Sequence, residues 1–211
     1  MSKAFGHRAM LVLMLALLCL FALGCLRNPD SGGKIREDLP LQELHDGDLL
    51  FRCGISTESQ TVVNLDRNQG TFSHIGIAIN EDGTWKVVHA VPGENHGGVD
   101  RVKAEPVDSF FLTTRAVHGA AMRLEGCDEK MAQQAAKWAL SKKGVIFDDR
   151  YDWNDSTQLY CTELVQRAYE KAGFDLRGNR ITHVTLPFFE GYIVFPSDIQ
   201  RNDSLKTLFS F

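Results

Sequence analysis

The sequence predicts an α+β domain in which an antiparallel sheet packs against helices. Strand-like segments fill the first half of the chain, two segments with helical spacing follow, and another strand-like segment comes near the end, at Tyr192 to Phe195. Strands gathered before helices are typical of α+β domains, whereas α/β domains alternate the two. The 211 residues also suit one domain of ordinary size.

Four strands are expected before the two main helices because short runs suited to strands stand between turn formers. A turn at 46–48 precedes the first run, and a turn at 81–83 separates two others. A short helix is expected at Glu58 to Arg67, and a loop at Asn95 to Gly98. The expected strands are Leu49–Cys53, Ser73–Asn80, Trp85–Val91 and Ala120–Leu124.

Two helices are expected next, each with signals at its ends. Asp128 is a typical N-cap residue, apolar residues then recur at helical spacing, and Gly144 is a stop signal. The second helix is expected from Tyr160 to Ala172, and Gly173 ends it. These helices supply the layer that should cover the sheet.

Residues 1–25 are interpreted as an export signal rather than as part of the fold. Lys3 and Arg8 give a basic start, and the apolar run from Met10 to Leu23 is shorter than the roughly 20 residues that span a membrane. Cys25 follows small residues in a pattern that resembles the bacterial lipobox, whose cysteine is lipid-modified. The alternative is an ordinary signal peptide with a coincidental cysteine.

The lipobox interpretation places the protein in the bacterial cell envelope, anchored to a membrane through lipid on Cys25. Leu26 follows this cysteine, and by the sorting rule of lipoproteins it favours an outer membrane. Residues 26–45 are polar and rich in turn formers, so we expect a tether. The domain then occupies residues 46–211.

Composition and cysteine count limit the function. The formal net charge is -4, no basic stripe with interleaved aromatic residues predicts nucleic-acid binding, and no motif requires a cofactor. Beyond Cys25 the chain has Cys53, Cys127 and Cys161. In an oxidising compartment at most one disulfide forms among these three, so at least one thiol stays free. Pairing of Cys53 with Cys127 is left open.

Cys161 leads the apolar face of the second helix. Leu164, Val165 and Ala168 follow it at the spacing of one helical face. At a helix start, unpaired backbone N–H groups and the positive end of the dipole favour a thiolate, which is the nucleophilic form of cysteine. On position alone a buried, inert cysteine is the commoner outcome.

Two histidines are expected to share one face of a hairpin. His74 alternates with small residues on one face of its strand, and isoleucines occupy the other face. If Asp82 and Gly83 form a two-residue type I′ turn, His89 falls on the same face, diagonal to His74. A three-residue loop would change the register and send His89 to the other face. We expect the helix led by Cys161 to cover the histidine face.

These three residues suit the chemistry of a cysteine hydrolase. Cys161 would attack a carbonyl carbon, His74 would accept and return the proton, and His89 would orient His74. The alternative for each histidine is a structural role satisfied by hydrogen bonds.

Three short motifs follow one another along the chain: GDLLFR at 47–52, FSHIGI at 72–77 and YCTELV at 160–165. Together they resemble the permuted papain-like cysteine hydrolases, the permuted branch of the NlpC-type amidase superfamily, which also contains the lecithin:retinol acyltransferase-like enzymes. The resemblance implies a circularly permuted papain-like fold with Cys161 as nucleophile and His74 as base. The family's third position falls on His89; it is often acidic in bacterial members and histidine in the acyltransferase-like ones.

The residues that bind the reaction's oxyanion are less sharply marked. The backbone N–H of Cys161 is a natural donor because it lies at a helix start. Tyr160 or Tyr151 could add a hydroxyl donor, and the alternative for each tyrosine is core packing. The segment 147–152 also resembles the family's stretch before the cysteine.

The preferred function is hydrolysis of an amide bond in a peptide, such as a cell-wall peptide, through a thioester on Cys161. The nearest alternative is a lipid acyltransferase or thioesterase, for which the apolar segment Leu186–Phe189 is suited. Cys161 and the two histidines could instead hold zinc with an open position, although no compact ligand motif such as CxxC occurs. A non-catalytic envelope module that keeps the fold for binding is the last alternative.

Overall fold

A six-stranded antiparallel sheet forms the centre of the structure. The computed structural model describes residues 32–94, 98–187 and 189–211. Its strands are β1 (Leu49–Gly54), β2 (His74–Glu81), β3 (Thr84–Ala90), β4 (Val102–Pro106), β5 (Ala116–Leu124), β6 (Thr182–Leu186), β7 (Phe189–Ile193) and β8 (Leu205–Ser210). The sheet has the order β4-β3-β2-β1-β5-β8, and β6 and β7 form a separate hairpin.

Two helices start and end where the sequence signals predict. Asp128 caps the first of them, since its side chain accepts a hydrogen bond from the N–H of Met131 at 2.8 Å. The second begins at Cys161 and stops shortly before Gly173, which has a left-handed φ of 91°. The helices are α1 (Thr57–Leu65), α2 (Val107–Phe110), α3 (Glu129–Ser141), α4 (Cys161–Lys171) and α5 (Pro196–Gln200).

The β2–β3 hairpin has the predicted two-residue turn. Asp82 and Gly83 have positive φ values of 52° and 81°, as a type I′ turn requires. The ladder runs from this turn as far as the pair Ile77 and Val88. This register confirms that the two histidines beyond the ladder's end share a face.

The prediction of which face the cysteine helix covers is wrong. Ile75 and Ile77 pack with Leu164 and Val165 of α4 in the main core, so the helix lies on the isoleucine face. The histidines lie on the opposite face, where both rings pack against Phe110 of α2. Covering the isoleucines removes more apolar surface from water than covering small residues would, and this difference decides the arrangement.

The remaining elements have weaker signals in the sequence. The strands β4, β6 and β8 and the short helices α2 and α5 were not predicted, because none of them is longer than six residues. The late strand expected at Tyr192 to Phe195 is β7, three residues earlier at its start. It belongs to the separate hairpin rather than to the main sheet.

Part of the expected tether packs on the domain. Arg36 donates hydrogen bonds to the carbonyl oxygens of Phe111 and Ala116 at 3.2 and 3.0 Å. Leu44 is only 2% exposed and belongs to the apolar cluster on the histidine face of the sheet. The residues from Lys34 to Phe211 form one compact unit, so the folded part includes residues before 46.

Some expectations concern residues outside the described ranges. Residues 1–31 contain the expected signal segment 1–25, the lipidation site Cys25 and the first part of the tether. Residues 95–97, in an expected loop, and Phe188 also lie outside these ranges. Within the described ranges, no helix is both long enough and apolar enough to cross a membrane.

Leu44 gives a direct test of where the fold begins. Leu44→Ala should lower the free energy of unfolding by about 2–5 kcal/mol, because it leaves a cavity in a packed cluster. Gln42→Ala, two residues earlier at an exposed position, is the control and should change stability by less than about 0.5 kcal/mol. Urea unfolding measures both. Equal stabilities would show that this segment is a tether only.

Candidate active site

The two histidines of the hairpin contact each other directly. His74 Nε2 lies 2.8 Å from His89 Nδ1, and the side chains are buried, with His74 6% and His89 0% exposed. Their rings meet edge to face, with centroids 5.0 Å apart. The prediction that His74 and His89 are neighbours on one face of the hairpin is therefore confirmed.

A carboxylate lies behind His89. Oε1 of Glu105, on β4, is 3.1 Å from His89 Nε2. The other carboxylate oxygen is 3.1 Å from Lys103 Nζ and 3.0 Å from Arg115 Nη1. Burial acts to raise the pKa of Glu105, but its contacts with His89, Lys103 and Arg115 hold that pKa far below its usual range. Glu105 is therefore ionised.

Arg52 places a positive charge beside His74. The two residues are directly opposed across β1 and β2, and Arg52 donates a hydrogen bond to the carbonyl oxygen of Phe110 at 2.9 Å. Its guanidinium also forms an ion pair with Glu94. A positive charge at this position disfavours a second one on the His74 ring.

The Cys161 thiol approaches β2 from the helix side. The thiol lies against the backbone N–H of Ile75, which is beyond the last ladder pair with β3. Ile75 follows His74 in the chain, so the thiol lies against the strand that carries the histidine. Within the described residues His74 makes its hydrogen bond to His89 rather than to the sulfur. In free enzymes the hydrogen bonds of a catalytic pair are often long and shorten in the substrate complex.

Burial keeps both candidate reacting groups neutral at neutral pH. It raises the pKa of the Cys161 thiol to about 11, although the N–H groups of Ile75, Thr162 and Cys161 itself act to lower it. Burial also holds the pKa of His74 well below 6.5, and the charge of Arg52 lowers it further. The N–H groups at the helix start therefore lower the pKa of the thiol, as expected, but the cost of burying a charge outweighs their effect.

Tyr160 and Tyr151, the two candidate donors to the oxyanion, have different surroundings. The Tyr160 hydroxyl is buried and accepts a hydrogen bond from the N–H of Val194 at 3.3 Å, so it is engaged in the core. Tyr151 has a left-handed φ of 53°, an uncommon conformation for a bulky residue. Burial raises the pKa of Tyr151 to about 12, and the Cys161 thiol is the next contributor to this shift. Tyr151 is therefore protonated, and its ring packs 5.2 Å from the ring of Tyr160, the residue before Cys161.

The loop that carries Tyr151 is tied to α4. Glu163 accepts a hydrogen bond from Arg167 Nε at 2.6 Å, and Arg167 Nη2 donates to the carbonyl oxygen of Trp153 at 2.5 Å. Asp148 accepts from the N–H of Arg150 at 2.9 Å and forms the turn before Tyr151. These contacts fix the tyrosine relative to the helix that begins with Cys161.

The expected zinc alternative does not suit the arrangement of donors. His74 Nε2 and His89 Nδ1 are directed at each other at 2.8 Å, so these nitrogens are used within the pair rather than toward a common ion. In the part of the chain that the structure describes, no three or more His, Cys, Asp or Glu side chains are grouped to hold a metal ion. The geometry favours a hydrogen-bonded relay.

Sequence reasoning missed the charged residues behind the histidines. Arg52 stands in the GDLLFR motif, but no role was assigned to it. Glu105, Lys103 and Arg115 were not singled out, because β4 was not predicted. Lys103 and Glu105 alternate with the apolar Val102 and Ala104, and this alternation was the available signal for a strand. Cys53 and Cys127, whose pairing was left open, are free thiols.

Known proteins match both the sequence and the fold. The family model of permuted papain-like amidase enzymes, the YaeF/YiiX, C92 family, matches residues 43–209. Among solved structures, the chain is similar to the crystal structure of the metalloprotein yiiX from Escherichia coli O157:H7, with a TM-score of 0.65 and 19% sequence identity over 79% of this chain and 97% of that one. This likeness shows a shared fold. No curated protein is significantly similar.

We expect the Cys161 thiol to react slowly with iodoacetamide at neutral pH. Because its pKa is about 11, alkylation should keep accelerating above the ordinary cysteine pKa of roughly 8.5. Mass spectrometry of the peptide that contains Cys161, over a series of pH values, measures this. Cys127, which is partly exposed, is the internal comparison. A rate plateau at or below neutral pH would reveal a resting thiolate and contradict the neutral pair.

Proposed function

Because the chain belongs to the family of permuted papain-like amidases, we propose that it is a cysteine hydrolase that cleaves an amide bond through a thioester on Cys161. The main support is the contact of His74 Nε2 with His89 Nδ1 at 2.8 Å, beside the strand that the thiol touches. This contact leaves Nδ1 of His74 as the nitrogen that can take the thiol proton.

In the first half of the proposed reaction, His74 takes the thiol proton while the sulfur attacks the carbonyl carbon. The two events are coupled, because thiol and imidazole are both neutral at rest. The proton on His74 then passes to the leaving amine as the C–N bond breaks. The acyl group remains on Cys161 as a thioester.

In the second half, a water molecule gives a proton to His74 and attacks the thioester carbon. The carboxylic acid leaves, and the sulfur regains its proton from His74. Each half passes through an oxyanion, for which the backbone N–H of Cys161 at the start of α4 is the first donor. Tyr151 is the proposed second donor, because its hydroxyl is protonated and makes no hydrogen bond within the described residues.

The proposed substrate is a peptide amide of the cell wall. This choice rests on the export signal and lipid attachment expected for residues 1–25, which would hold the enzyme at the envelope. The similar solved structure is that of a metalloprotein. In this chain the donors of His74 and His89 do not suit a metal ion, so no step of the proposed reaction passes through one.

Acyl esters are the second candidate substrates. Leu186 and Tyr192 of the β6–β7 hairpin are exposed apolar side chains. Phe189 of the same hairpin packs its ring 6.3 Å from the ring of Tyr151, so the hairpin borders the candidate site. An acyl chain would find apolar contacts there, and the histidine in the third position is shared with the acyltransferase-like relatives.

A panel of peptidoglycan peptides and fatty-acyl esters tests the proposal. Cys161→Ser and His74→Ala should each lower kcat/KM by at least about 10³-fold, and His89→Ala should cost less. Cys127→Ser, which removes another free thiol, is the matched control and should keep full activity. Full activity of the His74 variant would contradict the mechanism. Turnover of esters but not of peptides would show that acyl esters, the second candidates, are the substrates.

The two tyrosines form a matched pair for testing the oxyanion donor. Tyr151→Phe should lower kcat by about 10²-fold with little change in KM, because it removes a donor that acts in the transition state. Tyr160→Phe should keep kcat but lose about 1–3 kcal/mol of stability, because it leaves the N–H of Val194 without its partner. Steady-state kinetics and thermal unfolding separate these effects. A reversed pattern would exchange the two roles.

A further inference from the structure

We propose that Glu105 is a positioning residue that fixes the tautomer of His89 and, through His89, the tautomer of His74. The structure thereby extends the pair of histidines into a chain of three groups, His74, His89 and Glu105. The catalytic consequence rests on the proposed function, whereas the tautomers themselves do not depend on it.

The tautomer of His89 follows from its two neighbours. Its Nε2 is buried and lies 3.1 Å from Oε1 of Glu105, an ion-pair contact. Within the described residues this nitrogen makes no well-aligned hydrogen bond, with Glu105 or with another group. A lone pair on Nε2 would face an ionised oxygen at this distance and be repelled, whereas a proton is attracted. The proton of neutral His89 therefore sits on Nε2, and Nδ1 carries a lone pair.

The tautomer of His74 follows from that of His89. The 2.8 Å contact between His74 Nε2 and His89 Nδ1 needs one donor and one acceptor. Because His89 Nδ1 is the acceptor, His74 donates its Nε2 proton. The lone pair of His74 is then on Nδ1, where a general base for the Cys161 thiol needs it.

Glu105 is held in place by two cations. Arg115 Nη1 donates to both of its carboxylate oxygens, at 3.1 and 3.0 Å, and Lys103 adds a contact of 3.1 Å. Glu94 shares the same two cations, at 2.8 Å from Lys103 and 3.3 Å from Arg115. The charged groups around the histidines are thus two carboxylates and three cations, the third being Arg52, and Phe110 forms the apolar wall.

The same geometry stabilises charge during turnover. When His74 takes a proton, the ring pair carries one positive charge in a buried site. Glu105 is the carboxylate in contact with that pair, and its charge lowers the cost of the imidazolium. Glu81 carries the same charge at the turn end of the hairpin, and it pairs with Lys86 at 3.1 Å rather than with either histidine. It therefore offers a matched control.

Nuclear magnetic resonance of the ring nitrogens tests the proposal without a substrate. In the wild type, both rings should be neutral and protonated on Nε2. Glu105→Gln should give His89 a mixture of tautomers, because an amide can either accept from Nε2 or donate to it, and Glu81→Gln should keep the wild-type pattern. A wild-type His89 protonated on Nδ1 would overturn the proposal, as would unchanged tautomers in Glu105→Gln. The wild-type spectrum decides even if the variant does not fold.

Kinetics supply the second readout. Glu105→Gln should lower kcat on the order of 10²-fold with KM changed by less than about twofold. The acid limb of kcat/KM should move to lower pH, because the base loses a stabilising carboxylate. Glu81→Gln should stay within about threefold of the wild type and keep the limb in place. Equal losses in both variants, with no movement of the limb, would reduce Glu105 to a structural residue.

The activity assay and the ring-nitrogen spectra test different claims, so one claim can be contradicted without the other. If the wild-type protein cleaves neither amides nor esters, the proposed function is contradicted, and the ring-nitrogen spectra still decide whether Glu105 fixes the tautomers. If the wild type is active but the tautomers do not change in Glu105→Gln, the proposed hydrolase is supported and the positioning role of Glu105 is contradicted.

Discussion

The register of the β2–β3 hairpin controls the position of every polar group in the candidate site. The two-residue turn at Asp82 and Gly83 is possible because both residues adopt positive φ, and it places His74 and His89 on one face at 2.8 Å from each other. A change of one residue in this turn would send one imidazole to the isoleucine face. The contact with Glu105 and the free nitrogen of His74 both depend on this register.

Packing of α4 then brings the thiol to the beginning of the strand that carries His74. Isoleucines on one face bury the apolar stripe of α4, and Cys161, the first residue of this helix, reaches β2 at Ile75, next to His74 in the chain. The β2–β3 ladder ends before it reaches Ile75, so the thiol lies against a backbone N–H of that strand. Burial makes the thiol and His74 neutral at rest, which favours proton transfer coupled to attack over a stored thiolate.

Local signals predicted the parts of the fold that are decided locally. The turn, the cap of α3 by Asp128 and the start of α4 at Cys161 each follow from a few neighbouring residues. The face of β2 that α4 covers could not be predicted from local signals, because both faces are buried. The choice depends on how much apolar surface each face offers to the helix. Glu105 was missed because residues 91–101 separate β4 from β3, and the register across such a long connection is not encoded in a short motif. The ionisation of Cys161 depends on burial, which only the folded chain shows.

The central claim, a thioester on Cys161, is tested most directly by trapping the covalent intermediate. Rapid acid quenching of the protein with an amide or ester substrate, followed by mass spectrometry, locates any acyl group on the chain. We expect an added acyl mass on the peptide containing Cys161, removable by hydroxylamine as a thioester is. Steady turnover with no adduct at that position, or with the acyl group on another residue, would contradict it.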